Sequence, residues 1–302
     1  MNSKSVFVIV VTYRGQRWYD RCFRSLRESS IPVQTIVVDN ASNDCTVEYI
    51  KENFPEIHLI ESKENMGFGR ANNTAMRYAL DHGCDYVFLL NQDTWIEPGS
   101  IEELVRIHQL NPGYGILSPM HIRPDGRSLY IQIEDGKTDH ANKLLADCYF
   151  NQLEDVYPFS YINAAAWLLP RKTMEVVGGF DPIFSLYGED DDYLNRLRYH
   201  GLKLGLCPKV RIVHDHQNGP NLLSGGRVRY YHSLIAGFID PNKEASVNSY
   251  LRYLLRKAAI AFLKGKSADA KQLLEDYKYI RGKKGTITDS RQMNNKKQPS
   301  WL

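Results

Sequence analysis

Apolar and polar positions follow a repeating unit through the first third of the chain. Val6 to Val11 form an unbroken apolar run, Thr12-Tyr13-Arg14-Gly15 follow, and Tyr19, Cys22, Phe23 and Leu26 then recur at helical spacing. That is strand, loop, helix. Thr35 to Val38 repeats it and ends in Asp39-Asn40, with Asn43-Asp44 opening a short helix. A third strand, Ile57 to Ile60, leads to Asn65-Met66-Gly67-Phe68-Gly69 and a predicted helix over residues 70–81. A fourth, Tyr86 to Leu90, runs into Asn91-Gln92-Asp93-Thr94. Strands alternating with helices at this rhythm predict right-handed crossovers and a largely parallel α/β sheet.

Further along, a helix near 100–110 and a strand at 115–118 precede a stretch, 120–160, without clear periodicity. Order returns with Tyr161 to Leu169, a helix over 171–177, a Gly178-Gly179 stop, a helix from Asp190 to Tyr199 and a strand from Leu204 to Val213. Val247, Tyr250, Leu251, Leu254, Leu255, Ala258 and Phe262 share one helical face. Such a stripe is expected to pack on the core or on a second copy in a homodimer, and a membrane surface is the competing expectation. After Ile280 the chain turns polar and reads as disordered.

Composition narrows the class. With 43% hydrophobic and 24% charged residues over 302 positions, most of the chain must fold. The five cysteines lie far apart without a Cys-x-x-Cys pair, which argues against a zinc ribbon or disulfide scaffold and fits a reducing compartment. The six apolar residues before Thr12 are too few for a secretory segment, so a cytoplasmic protein is expected. Residues 251–302 hold 13 Lys or Arg against 4 Asp or Glu, a local +9 on a chain of net +3. That asymmetry points to an anionic partner. No nucleic-acid motif accompanies it, so no nucleic acid is expected, and a phospholipid surface fits better.

Candidate chemistry gathers at the strand ends: Thr12-Tyr13, Asp39-Asn40, Asn65 to Gly69, and Asn91 to Asp93. In a parallel sheet all four reach one edge, where ligands bind. Asp39 can accept hydrogen bonds from a base imide or a ribose hydroxyl, and Gly67 and Gly69 let a ligand approach the backbone. Asp93 is placed to hold a hard divalent cation against a diphosphate, or else simply to build a turn and cap the helix near Pro98. Gly67-x-Gly69 is not a dinucleotide fingerprint, since Asn72 stands where a third glycine is needed. In Glu189-Asp190-Asp191-Asp192 adjacent carboxylates repel, which suits one of them to general-base work, but acids also belong in a helix's first turn. His214 and His216 are either metal ligands or satisfied histidines.

Together, Val8 to Tyr13, Ile36 to Asp44, Asn65 to Gly69, Leu89 to Asp93, Gly178-Gly179-Phe180-Asp181 and Glu189-Asp190 resemble the family 2 glycosyltransferases of GT-A fold, over about residues 5–215. The rhamnosyltransferase-like branch that builds bacterial surface polysaccharide is the nearest likeness. The resemblance implies an inverting transferase that uses a nucleotide-diphosphate sugar, Mg²⁺ or Mn²⁺, and a saccharide or lipid-linked acceptor. It places donor contacts on Thr12, Tyr13, Asp39, Asn40, Asn65, Gly67, Phe68, Asn73, Asn91, Gln92 and Asp93. Asp190 is then the catalytic base with Glu189 as runner-up, and Asp93 and His214 are the metal side. Asn91 replaces the first acid of the usual Asp-x-Asp, and Asn163-Ala164-Ala165-Ala166 replaces a glycine-bearing segment. The implied division is a transferase domain over 1–240 (nucleotide half 1–118, acceptor half 119–240), a helical extension over 241–280 and a basic tail over 281–302, with peripheral contact to the inner membrane face through the basic C-terminal region. Two alternatives stay open: a non-catalytic nucleotide-sugar-binding subunit, and a nucleotidyltransferase.

Overall fold

The first apolar run becomes the middle of a sheet. The computed structural model describes residues 4–130, 139–215, 226–298 and 300–302. Its strands are β1 (Val6–Thr12), β2 (Gln34–Asp39), β3 (His58–Glu61), β4 (Tyr86–Asn91), β5 (Thr94–Ile96), β6 (Tyr114–Ile122), β7 (Tyr157–Phe159), β8 (Ala166–Pro170) and β9 (Lys203–His214). They join in the order β3-β2-β1-β4-β8-β6-β9-β5, with β7 paired to β9. The first four pair in parallel, as the alternation predicts. β8 enters antiparallel between β4 and β6, and β9 then runs parallel to β6, so six of the nine strands point one way.

Helices cover both faces: α1 (Gln16–Arg27), α2 (Thr46–Asn53) and α4 (Ser100–Leu110) on one, α3 (Phe68–Asp81), α6 (Arg171–Val177) and α7 (Glu189–Tyr199) on the other. α5 (Asp139–Tyr149) lies against β7. The two faces explain the unbroken apolar reading of β1. Phe7 and Ile9 pack with Ala71, Ala75 and Met76 of α3, while Val6, Val8 and Val10 pack with Tyr19, Cys22 and Phe23 of α1. A strand buried on both sides has no polar alternate to show.

Three further helices, α8 (Gly226–Ile239), α9 (Val247–Leu263) and α10 (Ser267–Asn294), build a smaller core around Ile235, Ile239, Leu251, Ile280 and Ile287. Here the structure corrects the sequence reading. Residues 281–294, expected as disordered tail, are the second half of α10. Its apolar positions are sparse, with Ile280 and Ile287 one heptad apart, and Gly282 and Gly285 dilute the pattern. Other elements supply the anchoring: Arg227 of α8 bridges to Glu275 and Asp276, and Arg291 donates to the Phe238 and Lys243 carbonyls. Beyond the helix, Gly179 N–H donates to the Ser300 carbonyl at 2.8 Å. The predicted stripe of α9 is only partly a packing face. Leu251, Leu254 and Ala258 are buried, whereas Leu255 and Phe262 are exposed. Among the described residues no helix is long and apolar enough to cross a membrane.

Candidate active site

Register brings the strand ends together. Thr12 lies opposite Asp39, and Val11 opposite Asn91. Thr12 is buried and its Oγ1 donates to Asp39 Oδ1 at 3.1 Å, while Ser42 N–H donates to Asp39 Oδ2 at 2.9 Å. Each carboxylate oxygen keeps a further lone pair for a ligand. Gln92 clasps the backbone of Tyr13 from both sides, its Oε1 accepting from the amide at 2.9 Å and its Nε2 donating to the carbonyl at 3.2 Å.

Several expected contacts turn out to be scaffolding. Asn40 is buried and spends its amide on Asn65 Oδ1, the Gly67 carbonyl and Met66 N–H. That fixes the loop ahead of α3. Gly67 has φ +80°, and a Cβ there would meet the Ser185 carbonyl oxygen at 2.3 Å, so both conformation and space demand glycine. Phe68 packs edge-on against Phe180. Asn73, expected as a ligand contact, is instead a buried clamp: its Nδ2 donates to the Phe180 carbonyl at 2.8 Å and its Oδ1 accepts from the Phe180 amide at 2.7 Å. The clamp fixes the Phe180 backbone to α3.

Asp93 sits in the turn between β4 and β5. It does not cap α4, whose N-cap is Gly99 and whose first turn carries Glu102 and Glu103. Thr94 pairs with His214 across β5 and β9, which puts His214 Nε2 3.4 Å from Asp93 Oδ1. His214 is 2% exposed and Asp93 15% in its side chain, so the carboxylate faces the opening and the imidazole backs it. Tyr130 and His121 rings meet His214 edge-on at 4.7 and 5.7 Å. His216 lies outside the described residues.

The acidic run starts α7, and its four members enter four environments. The launch is a tight turn: Tyr187 has φ +64° and Gly188 φ +89°, where a Cβ would strike the Phe184 ring at 2.9 Å. Glu189 is buried beside Gly69, Asp190 is half-buried, Asp191 is exposed, and Asp192 is buried against Arg196. Asp190 Oδ2 accepts from the Tyr161 hydroxyl at 2.9 Å and Oδ1 from its neighbour's amide at 3.0 Å. Burial raises its pKa, against the pull of those bonds and of Arg229. Burial, then the adjacent Asp190 charge, push Glu189 up to about 8.

A folded-state pKa above the unfolded one means that the native state holds a proton that the unfolded chain has released. Glu189's stabilisation is therefore complete below the ordinary glutamate range and is lost as pH rises through about 8. Glu189→Gln removes that proton exchange. Urea midpoints at pH 5 and pH 8.5 should fall less in this variant than in wild type, and parallel falls would show that Glu189 ionises normally.

Two observations link the surroundings of Asp93 and Asp190. Asn91 N–H donates to the Ala165 carbonyl, which ties the Asp93 turn to the segment that carries Tyr161, the partner of Asp190. Burial raises the Tyr130 phenol and the Asp93 charge adds to it, while Arg123 and Arg229 lower it. The same Arg229 lowers Asp190, and its guanidinium stands 4.5 Å from the Tyr187 ring centre. Tyr161, Tyr130 and Arg229 were not legible as site residues. None belongs to a motif, and each arrives through space from a loop or from α8.

Comparison with known proteins agrees with this arrangement. Residues 7–161, just over half of the chain, match the family described as Glycosyl transferase family 2. The chain is 26% identical over 273 residues to an N-acetylglucosaminyl-diphospho-decaprenol L-rhamnosyltransferase of Mycobacterium tuberculosis, covering 82% of this chain and 88% of that protein. It is 24% identical over 213 residues to the low-salt glycan biosynthesis hexosyltransferase Agl10 of Haloferax volcanii, covering 69% of this chain and 66% of that protein. Among solved structures, S. aureus TarS 1-349 in complex with UDP-GlcNAc superposes with a TM-score of 0.60 at 14% identity, covering 95% of this chain and 89% of TarS 1-349. The mannosyltransferase PcManGT of Pyrobaculum calidifontis, in complex with GDP-Man and Mn²⁺, superposes with a TM-score of 0.57 at 18% identity, covering 97% and 74%. With the family match over more than half of its length and these structural neighbours, the chain belongs to glycosyl transferase family 2 and is a glycosyltransferase of GT-A fold.

Proposed function

We propose that the protein moves a sugar, with inversion, from a nucleotide-diphosphate donor to a hydroxyl of a saccharide carried on a lipid, as a step in surface polysaccharide synthesis. The observation that carries this reading is that a half-buried carboxylate, Asp190, and the Asp93–His214 corner share a neighbour in Arg229, which acts on Asp190 and on the Tyr130 phenol against His214. The Mycobacterium tuberculosis relative, named for a diphospho-decaprenol acceptor, supports the lipid-linked class.

Asp39 receives the nucleoside, with Thr12 and Ser42 holding its carboxylate in place. Asp93 and His214 offer one carboxylate oxygen and one imidazole nitrogen, a donor set that fits Mn²⁺ or Mg²⁺ when substrate phosphates complete the shell. Among the described residues no group of three or more such side chains could enclose an ion alone. A divalent ion there supplies positive charge beside the diphosphate. Arg229 adds a protein cation near the same opening. Asp190 accepts the proton of the attacking hydroxyl. Its burial lifts its basicity toward working pH, and Tyr161 fixes its direction. Glu189 is buried whereas Asp190 is half-buried, which favours Asp190 for that task.

Nucleotide sugars screened with Mn²⁺ should raise the melting temperature, since a ligand that binds the native state stabilises it by about 2.7 kcal/mol at a hundred times its Kd. Asp93→Ala should weaken that binding about 10- to 100-fold in the presence of metal. An unchanged response in Asp93→Ala would move the metal and diphosphate contact elsewhere, and the absence of any responding nucleotide sugar would end the donor assignment.

A further inference from the structure

We infer that the tip of the α9–α10 hairpin is a docking surface for an anionic lipid bilayer. This rests on the reading that the acceptor is lipid-linked. The hairpin turns at Lys264-Gly265-Lys266, and the two residues before the turn, Phe262 and Leu263, are 72% and 84% exposed. Leu255, Ile260 and Leu274 are exposed nearby. Only one face of α9 packs inward, through Leu251, Leu254, Ala258 and Ala261, so the remaining apolar side chains have no place in the core.

Charge selects the partner. From residue 247 to 274 the chain carries Arg252, Arg256, Lys257, Lys264, Lys266 and Lys271 against Asp269 alone, a formal +5, and all six cations are exposed. Apolar residues at an exposed helical tip, ringed by cations with long aliphatic stems, match a bilayer's boundary between headgroups and acyl chains. The rings and branched chains enter while the ammonium and guanidinium groups stay among anionic headgroups.

Position agrees with the substrate. Tyr231 of α8 donates to Asp276 of α10 at 2.8 Å, and Arg227 reaches the same carboxylate at 3.2 Å. The first turns of α8, which bring Arg229 to the active-site opening, are thus level with Asp276. Ser267 lies nine residues before Asp276, so the tip extends about 14 Å past that level at about 1.5 Å per helical residue. A lipid-borne acceptor held at the tip would thus stand about 14 Å along α10 from the level of the helix start that carries Arg229. Within the basic C-terminal region expected from sequence to make this contact, residues 281–302 spend Arg291 within the fold, and their apolar members Ile287 and Trp301 pack inward or onto Arg196, which leaves the hairpin tip as the contact.

The test is co-sedimentation of the full chain with vesicles of phosphatidylcholine, with and without phosphatidylglycerol. Wild type should pellet with the anionic vesicles, and Phe262→Ser/Leu263→Ser and Lys264→Glu/Lys266→Glu should each lower that partition about tenfold or more. Both variants alter exposed positions and should keep the nucleotide-sugar melting response, which ties the loss to docking and not to folding. Equal pelleting of wild type and variants, or equal binding to phosphatidylcholine alone, overturns the inference. So does a wild-type dimer in sedimentation velocity that Phe262→Ser/Leu263→Ser dissociates, since a second copy would then be the occupant. Failure here leaves the donor response intact, whereas failure of the transferase reading removes the donor response and leaves vesicle binding untouched.

Discussion

Asp190→Asn should lower kcat about 10³-fold while leaving donor affinity within about twofold of wild type, a loss of about 4 kcal/mol in transition-state stabilisation. Asparagine has the shape of aspartate: its Oδ1 can still accept from the Asp191 amide, and its Nδ2 can donate to the Tyr161 hydroxyl oxygen. What it cannot do is take a proton from the attacking alcohol. In the proposed mechanism donor binding rests on Asp39 and Asp93 at the strand ends, so the substitution should separate chemistry from binding. Single-turnover transfer and equilibrium titration of the nucleotide sugar measure the two parts. Tyr161→Phe gives the complementary result. The tyrosine's hydrogen bond lowers the Asp190 pKa, so removing it should shift the acidic limb of the kcat/KM profile to higher pH. Glu189→Gln, altering a group more deeply buried than Asp190, should cost less than tenfold in kcat. If Asp190→Asn turns over within tenfold of wild type, the base is another group.

How much of this was written in the sequence differs between the halves. The nucleotide half declares itself because each of β1, β2 and β4 is buried on both faces and stops at a polar pair, so strand, strand end and edge are read from one run of residues. The start of α7 was legible for a similar reason: Gly188 breaks the chain and four acids follow. The fate of those acids was not. Which one is buried, which meets Arg196 and which faces the opening is set by helical rotation against α3 and α10, and a string of like residues does not encode that. The stretch 120–160 hid β7 and α5, because a three-residue strand has no period to detect and most of α5 shows only a shallow apolar face. β5, also three residues, was hidden in the same way, although it is the element that sets His214 beside Asp93. α10 was misread as disordered for the opposite reason: its stability comes from partners far away in sequence.

Those distant partners meet at Arg196, and Arg196→Leu should destabilise the fold by about 3–5 kcal/mol. The Arg196 side chain is 1% exposed and its partner Asp192 0%, with Nε donating to Asp192 Oδ2 at 2.9 Å. Both terminal nitrogens also donate, Nη1 to the Val177 carbonyl at 2.6 Å and Nη2 to the Gly179 carbonyl at 2.8 Å. Tyr193 and Trp301 rings stand 4.9 Å from the guanidinium carbon. One cation therefore ties α7 to the end of α6, to the loop after it and to the segment beyond α10. Asn294 completes the site by donating to Asp192 Oδ1 at 2.8 Å. Leucine would strand a desolvated carboxylate and two carbonyls. Burial already raises the Asp192 pKa and Arg196 opposes it. Without the arginine the native state would hold the Asp192 proton to still higher pH, so the loss should be smaller near pH 5 and grow as pH rises. Adding Asp192→Leu removes the stranded charge and should recover part of the loss, a non-additivity that denaturant titration of both single variants and the double would measure. Because Asp192 lies two residues after Asp190 on the same helical turn, the single variant should also lower kcat in the molecules that stay folded. A loss below about 1 kcal/mol, independent of pH, would mean that water reaches the pair and that α7 is held in place by its apolar face alone.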